Sequence, residues 1–243
     1  IAILLPSLGK ARARAQNTRC LTSVRGISQA MYMYMADNQK TMPYYPNGST
    51  AYWSQMLTPY GASEKIRQCP AASSANPDYS VALGPTGANN QTKQGAVSYP
   101  WMNFTSQSPV DSGSFGLNGW IYAGGDTAAL TRFSQTQNDN PNGVPWKYPF
   151  TTNTSFIPLV GDAVWPDGWP LPTNTGPSLA QETTGQGSAN TNQMLRWAIS
   201  RHPAKSINVA FLDGHGENEP LKQLWTLKWN SNWQQPFSLP VIP

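Results

Sequence analysis

The chain has 243 residues, a formal net charge of +4 and only 12% charged residues, against 20 Gly and 22 Pro. Its 10 Trp, 10 Tyr and 7 Phe exclude a disordered chain, and the Gly and Pro content points to a chain rich in turns and poor in long surface helices. With no reading motif and no basic surface interleaved with aromatics, nucleic-acid binding is not expected, and the length suits one sizeable core.

Five apolar residues, Ile1 to Leu5, precede Pro6. A membrane span needs roughly 20, so these five cannot cross a membrane alone. From Leu8 to Asp37 the pattern is helical: Leu21, Val24, Ile27, Ser28, Met31, Tyr34 and Met35 recur at spacings of three and four. Such a run extends about 45 Å, more than a compact head can cover, so part of it should project. Pro6 marks either the first helical turn or a place where the helix can bend. Lys10, Arg12, Arg14, Arg19 and Arg25 all precede the first acidic residue. That placement fits a membrane interface and equally a solvated helix face.

Cys20 and Cys69 are the two cysteines, and neither sits in a CxxC pair or at a metal-ligand spacing from His202 or His215. They are either bridged or two buried thiols, and in an exported protein a bridge is expected. Closing a loop of about 49 residues would be worth roughly 4 kcal/mol in the chain-entropy model.

After the helix, a short helix or turn is predicted from Trp53 to Tyr60, leading to Cys69-Pro70. Strand-like runs follow at Val97 to Phe104, Phe115 to Tyr122 and Phe156 to Val164. Near the C-terminus Ile207, Val209 and Phe211 alternate up to Asp213-Gly214, which predicts a β-hairpin. The fold class is therefore α+β: a long N-terminal helix, residues 1–38, packed on a loop-rich antiparallel head, residues 39–243.

Leu4-Leu5-Pro6-Ser7-Leu8, Lys10-Ala11-Arg12 and Cys20-Leu21-Thr22-Ser23-Val24-Arg25-Gly26-Ile27 resemble the N-terminal helix of type IV pilins and type II secretion pseudopilins, especially the pilin-like family of planctomycetes. Trp53 to Cys69-Pro70, Gly161 to Trp169 and His202…Asp213-Gly214 carry the likeness into the head. The family's His-to-Asp spacing has nine residues between, whereas this chain has ten, so a longer loop is expected at Pro203 to Ser206. The segment from about Asn76 to Pro149 carries no such resemblance.

The resemblance implies a leader, its processing site and further apolar helix upstream of Ile1, and a subunit of an extracellular or cell-surface filament, a helical homopolymer of this chain. It would be held in the inner membrane before assembly and added by pilus or secretion machinery there. Leu4, Leu5, Leu8, Leu21, Val24 and Ile27 are the expected subunit-interface residues. A minor pseudopilin and a helix-anchored carbohydrate-binding protein are the alternatives.

Chemistry-bearing residues are few, and no enzyme or resident cofactor is expected. His202 and Asp213 could meet across the hairpin, as a structural contact or as a base and its orienter, but no nucleophile motif accompanies them. Asp162, Asp167, His215 and Glu217 complete the inventory. Asn138 to Gly143 imitates the start of a calcium loop, yet Pro149 stands where an EF-hand needs Glu, which leaves only a looser oxygen-ligand calcium site. Trp165 and Trp169 are candidates for stacking on sugars. Asn47, Asn90, Asn103 and Asn153 lie in glycosylation sequons.

Overall fold

Helix α1 runs from Leu4 to Asn38 in the computed structural model, whose described residues are 4–43, 53–75, 91–105, 108–122, 143–151, 153–184 and 192–243. Pro6 falls in its first turn, where a backbone N–H would have no helical partner anyway. The helix ends as expected near Asn38. Gln39 takes a left-handed φ of 53° and its N–H reaches the Met35 carbonyl at 2.9 Å, which satisfies one of the terminal carbonyls. Among the described residues, no helix is long and apolar enough to cross a membrane.

The apolar stripe read from the sequence is the buried face of α1. Val24, Ile27, Ser28, Met31, Tyr34 and Met35 are buried, together with Cys20 and Ala30, while Leu21 is half-buried at the edge. This face lies across strand β7 and touches β5 and β8 beside it. The 3-10 turn Glu64–Arg67 packs beside Gly26, where a Cβ would make only an ordinary 3.5 Å contact with Ile66 Cδ1. One expectation is corrected here. Val24 and Ile27 are 0% exposed inside their own subunit, so they have no surface to offer a neighbouring one.

Two sheets form the head. Strands β1 (Gln91–Lys93), β2 (Trp101–Thr105) and β3 (Ser108–Gly113) make a small antiparallel sheet. The larger sheet has the order β6-β4-β5-β7-β8, from β4 (Phe115–Asn118), β5 (Pro158–Asp162), β6 (Asp167–Gly168), β7 (Ser206–Phe211) and β8 (Gly216–Pro220). Its pairs are antiparallel except β4 with β6, which are parallel, so the expectation of a purely antiparallel sheet is corrected at that edge. The described residues also include the short helices α2 (Trp53–Met56) and α3 (Leu179–Thr184) and several 3-10 turns.

Tryptophans explain how so loop-rich a chain holds together. Trp53, Trp101, Trp120, Trp225 and Trp229 are fully buried, and each indole N–H donates to a backbone carbonyl: Pro166, Phe115, Pro170, Asn174 and Leu224, at 2.6–2.9 Å. Each ring thus fills the core while its N–H is satisfied by a backbone carbonyl.

The predicted hairpin is β7–β8. Phe211 N–H bonds to the His215 carbonyl at 2.9 Å, and Gly214 takes φ 89°, the left-handed position that closes a short hairpin loop. The turn at Pro203–Lys205, where a longer loop is expected, is tight instead. His202 pairs with Ser206 across it, and Ala204 and Lys205 both take left-handed φ, 61° and 52°.

Candidate functional site

Four segments distant in sequence meet where α1 crosses the sheet. Cys20 comes from the buried stripe of α1, Cys69 from the loop after Glu64–Arg67, Asp162 from the end of β5, and His202 from the turn before β7. All four are buried, and their ligand-type atoms (two Sγ, one carboxylate oxygen, one imidazole nitrogen) lie within 4.8 Å of one another. Asp162 is the hub. Its Oδ2 lies 3.1 Å from His202 Nε2, 3.5 Å from Cys20 Sγ and 2.8 Å from the donating N–H of Asn208. Its Oδ1 accepts from Arg201 at 3.1 Å. Cys69 Sγ stands 3.6 Å from His202 Nε2.

Arg201 is the counter-ion. Its guanidinium also donates to the carbonyls of Ser114, Ala96 and Ala163, so its planar fork ties together the ends of β4 and β5 and the Ala96 loop. Burial opposes charge on Asp162, but His202, Arg201 and the Asn208 N–H outweigh it and hold its pKa at about 2. Burial likewise disfavours the charged imidazole, yet Asp162 first and Cys69 second raise His202 to about 9. Cys20 is pushed well above the usual thiol range by burial, then by Cys69 and Asp162. Cys69 moves the other way: against burial and Asp162, hydrogen bonds from Cys20 and His202 and the charge of Arg201 bring it to about 6.

The expected partners therefore meet in altered form. Cys20 and Cys69 do come together, but as free thiols, each turned to a polar group of the Asp162–His202 pair. His202 pairs with Asp162 and not with Asp213. Asp213 is exposed at the hairpin tip, where it accepts from His215 of the same loop. A base–orienter pair of His202 and Asp213 is thus excluded. Glu217 is exposed on β8, with an oxygen 3.9 Å from His215 Nε2.

Asp167 joins a second buried pair, with Arg196 at 3.4 Å and the Tyr122 hydroxyl at 3.1 Å. A third joins Asp111 to Arg67 at 3.1 Å, with Ser54 donating to the same carboxylate. In these two pairs the acid is neutralised by an arginine, as burial of a carboxylate demands.

The remaining sequence candidates separate by exposure. Trp169 is 2% exposed and packed against Tyr122, and Trp165 is half-buried beneath the guanidinium of Arg196. Trp169 is too enclosed to stack on a sugar, which corrects that expectation for Trp169, and one face of Trp165 is covered by Arg196. Asn103 is 3% exposed on β2, too enclosed to carry a glycan, whereas Asn153 is exposed and its side chain caps the turn at Ser155. Asn47, Asn90 and the calcium-like run from Asn138 to Asn142 lie outside the described residues. So do the side chains of Leu4 and Leu5. Leu8 is described and is 67% exposed.

The sequence analysis missed the convergence of Cys20, Cys69, Asp162 and His202, because no two of them stand at a local ligand spacing. Only the antiparallel register of β5 and β7, with Gly161 opposite Val209, brings Asp162 beside the segment that follows His202. No protein-family model, no curated protein and no solved structure matches this chain.

Proposed function

We propose that this chain is the structural subunit of an extracellular type IV pilus-like filament and polymerises through the N-terminal part of α1. The observation that carries the reading is the division of one helix into two environments. From Cys20 to Met35 one face is embedded in the head, whereas every residue from Pro6 to Arg12 is exposed. These N-terminal turns lie outside the head, where they are open to a second helix, and Leu8 offers it a large apolar side chain that is 67% exposed.

Repeating a single heterologous helix contact along a screw axis yields an open polymer with helices inside and heads outside. Before assembly the exposed Lys10, Arg12 and Arg14 would lie at the headgroup level of the inner membrane, on the same side as the head. The role is mechanical and not catalytic.

Immunogold electron microscopy of cells producing the chain, with antibody to the head, tests the proposal. Label is expected at regular intervals along surface filaments. Label confined to filament bases or to the envelope would replace the homopolymer with a minor pseudopilin role, and its absence from any filament would overturn the reading.

A further inference from the structure

We propose that Cys20, Cys69, Asp162 and His202 are the ligands of a structural site for a thiophilic divalent cation, with zinc the best fit, and that this site fastens α1 to the head. Geometry argues first. Zinc bonds of about 2.3 Å to sulfur and about 2.0–2.1 Å to nitrogen and oxygen give a tetrahedron with edges of roughly 3.2–3.8 Å. The observed edges run 3.5 Å from Cys20 Sγ to Asp162 Oδ2, 3.1 Å from Asp162 Oδ2 to His202 Nε2, and 3.6 Å from His202 Nε2 to Cys69 Sγ. These three of the six edges are close to those a tetrahedral ion imposes, and all four donor atoms lie within 4.8 Å of one another.

Charge argues second. Two thiolates and a carboxylate leave a zinc site with one net negative charge, and Arg201, buried with its Nη1 3.1 Å from Asp162 Oδ1, supplies the matching positive charge. The outer contacts are those that orient ligands: Arg201 holds one carboxylate oxygen, and the Asn208 N–H donates at 2.8 Å to the other.

Donor chemistry argues third. Paired sulfurs with one imidazole and one carboxylate favour zinc over calcium or magnesium, which require mostly oxygen. Four protein ligands close the tetrahedron, the pattern of a structural and not a catalytic centre. Because all four are buried, the ion would enter as the chain folds, linking a helix, a loop, a strand end and a turn. When it binds, Cys20 loses its proton, Cys69 coordinates as the thiolate, and the proton between His202 Nε2 and Asp162 leaves. The inference is independent of the filament reading.

The test uses the full chain, purified anaerobically from cells supplied with zinc. Elemental analysis should find one zinc per chain after gel filtration, and zinc-edge X-ray absorption should show two sulfur and two nitrogen or oxygen neighbours. Cys69→Ser and His202→Gln should each lower zinc affinity by about tenfold or more. A shell without sulfur would mean adventitious binding, and zinc-free protein with a Cys20–Cys69 bridge in freshly isolated material would also overturn the proposal. Should either variant fail to fold, the absorption spectrum of the unmodified chain decides.

Discussion

Asp162 and His202 form a buried pair, 3.1 Å apart, that joins the end of β5 to the turn leading into β7, directly beneath α1. Because Arg201 shares the same carboxylate, removing that charge leaves two buried cationic side chains without their anion. Asp162→Asn should therefore destabilise the fold by about 3–5 kcal/mol, read from urea unfolding. A loss under 1 kcal/mol, the scale of an exposed pair, would show that the cluster is not held together by Asp162.

Chelator-treated, reduced protein should show a specific pH dependence. Asp162, folded near 2 against an ordinary 3.8, stabilises above the ordinary value and ceases to as pH falls through 2. His202, folded near 9 against 6.5, stabilises below 6.5 and loses that contribution as pH rises through 9. Cys69, folded near 6 against 9, has the opposite slope over almost the same range and offsets it. Thermal melts of the unmodified chain should therefore vary little between pH 6.5 and 9, whereas those of Cys69→Ser should fall across that window. Parallel curves would refute the thiolate–imidazolium pairing.

Trp169 should be a core residue in function as well as position. A Cβ at Gly119 would meet the Trp169 ring at 2.3 Å, so the two are packed without slack. Trp169→Ala should cost about 3–5 kcal/mol. Gly119→Ala should cost roughly 1–3 kcal/mol through overpacking. Both are measured by denaturant unfolding. If Trp169→Ala left stability unchanged while abolishing binding on a glycan array, the ring would be a ligand platform after all.

Ala204 is a local conflict between sequence and backbone, since its φ of 61° favours glycine. Ala204→Gly should raise stability by about 0.5–1 kcal/mol, visible as a higher urea midpoint with unchanged slope. A lower midpoint would mean that the methyl group makes contacts worth more than the relief of strain.

Local signals were legible in the sequence and nonlocal ones were not. The three-and-four spacing from Leu21 to Met35 marks a buried helix face, and it is buried. What the spacing could not say is what covers that face: Val24 and Ile27 meet their own β-sheet and not another subunit. Asp213-Gly214 announces its hairpin because turn chemistry is local. His202 was assigned the wrong aspartate because its partner is set by strand register, with 40 residues separating it from Asp162. Trp165 and Trp169, read as candidates for exposure, lie in a loop whose burial depends on Arg196 and on Tyr122, which α1 and the turn motifs do not reveal.

The central claim, that the exposed first turns of α1 drive polymerisation while the rest of the helix belongs to the head, is tested most directly by counting surface filaments in Leu8→Asp beside Val24→Asp. Leu8 is 67% exposed and Val24 is 0% exposed. Val24→Asp should unfold the head, because a charge placed in that dry face costs several kcal/mol. Leu8→Asp should leave the circular dichroism and thermal midpoint of the head unchanged while filaments disappear from the cell surface. Filaments of normal length and number in Leu8→Asp cells would contradict the account.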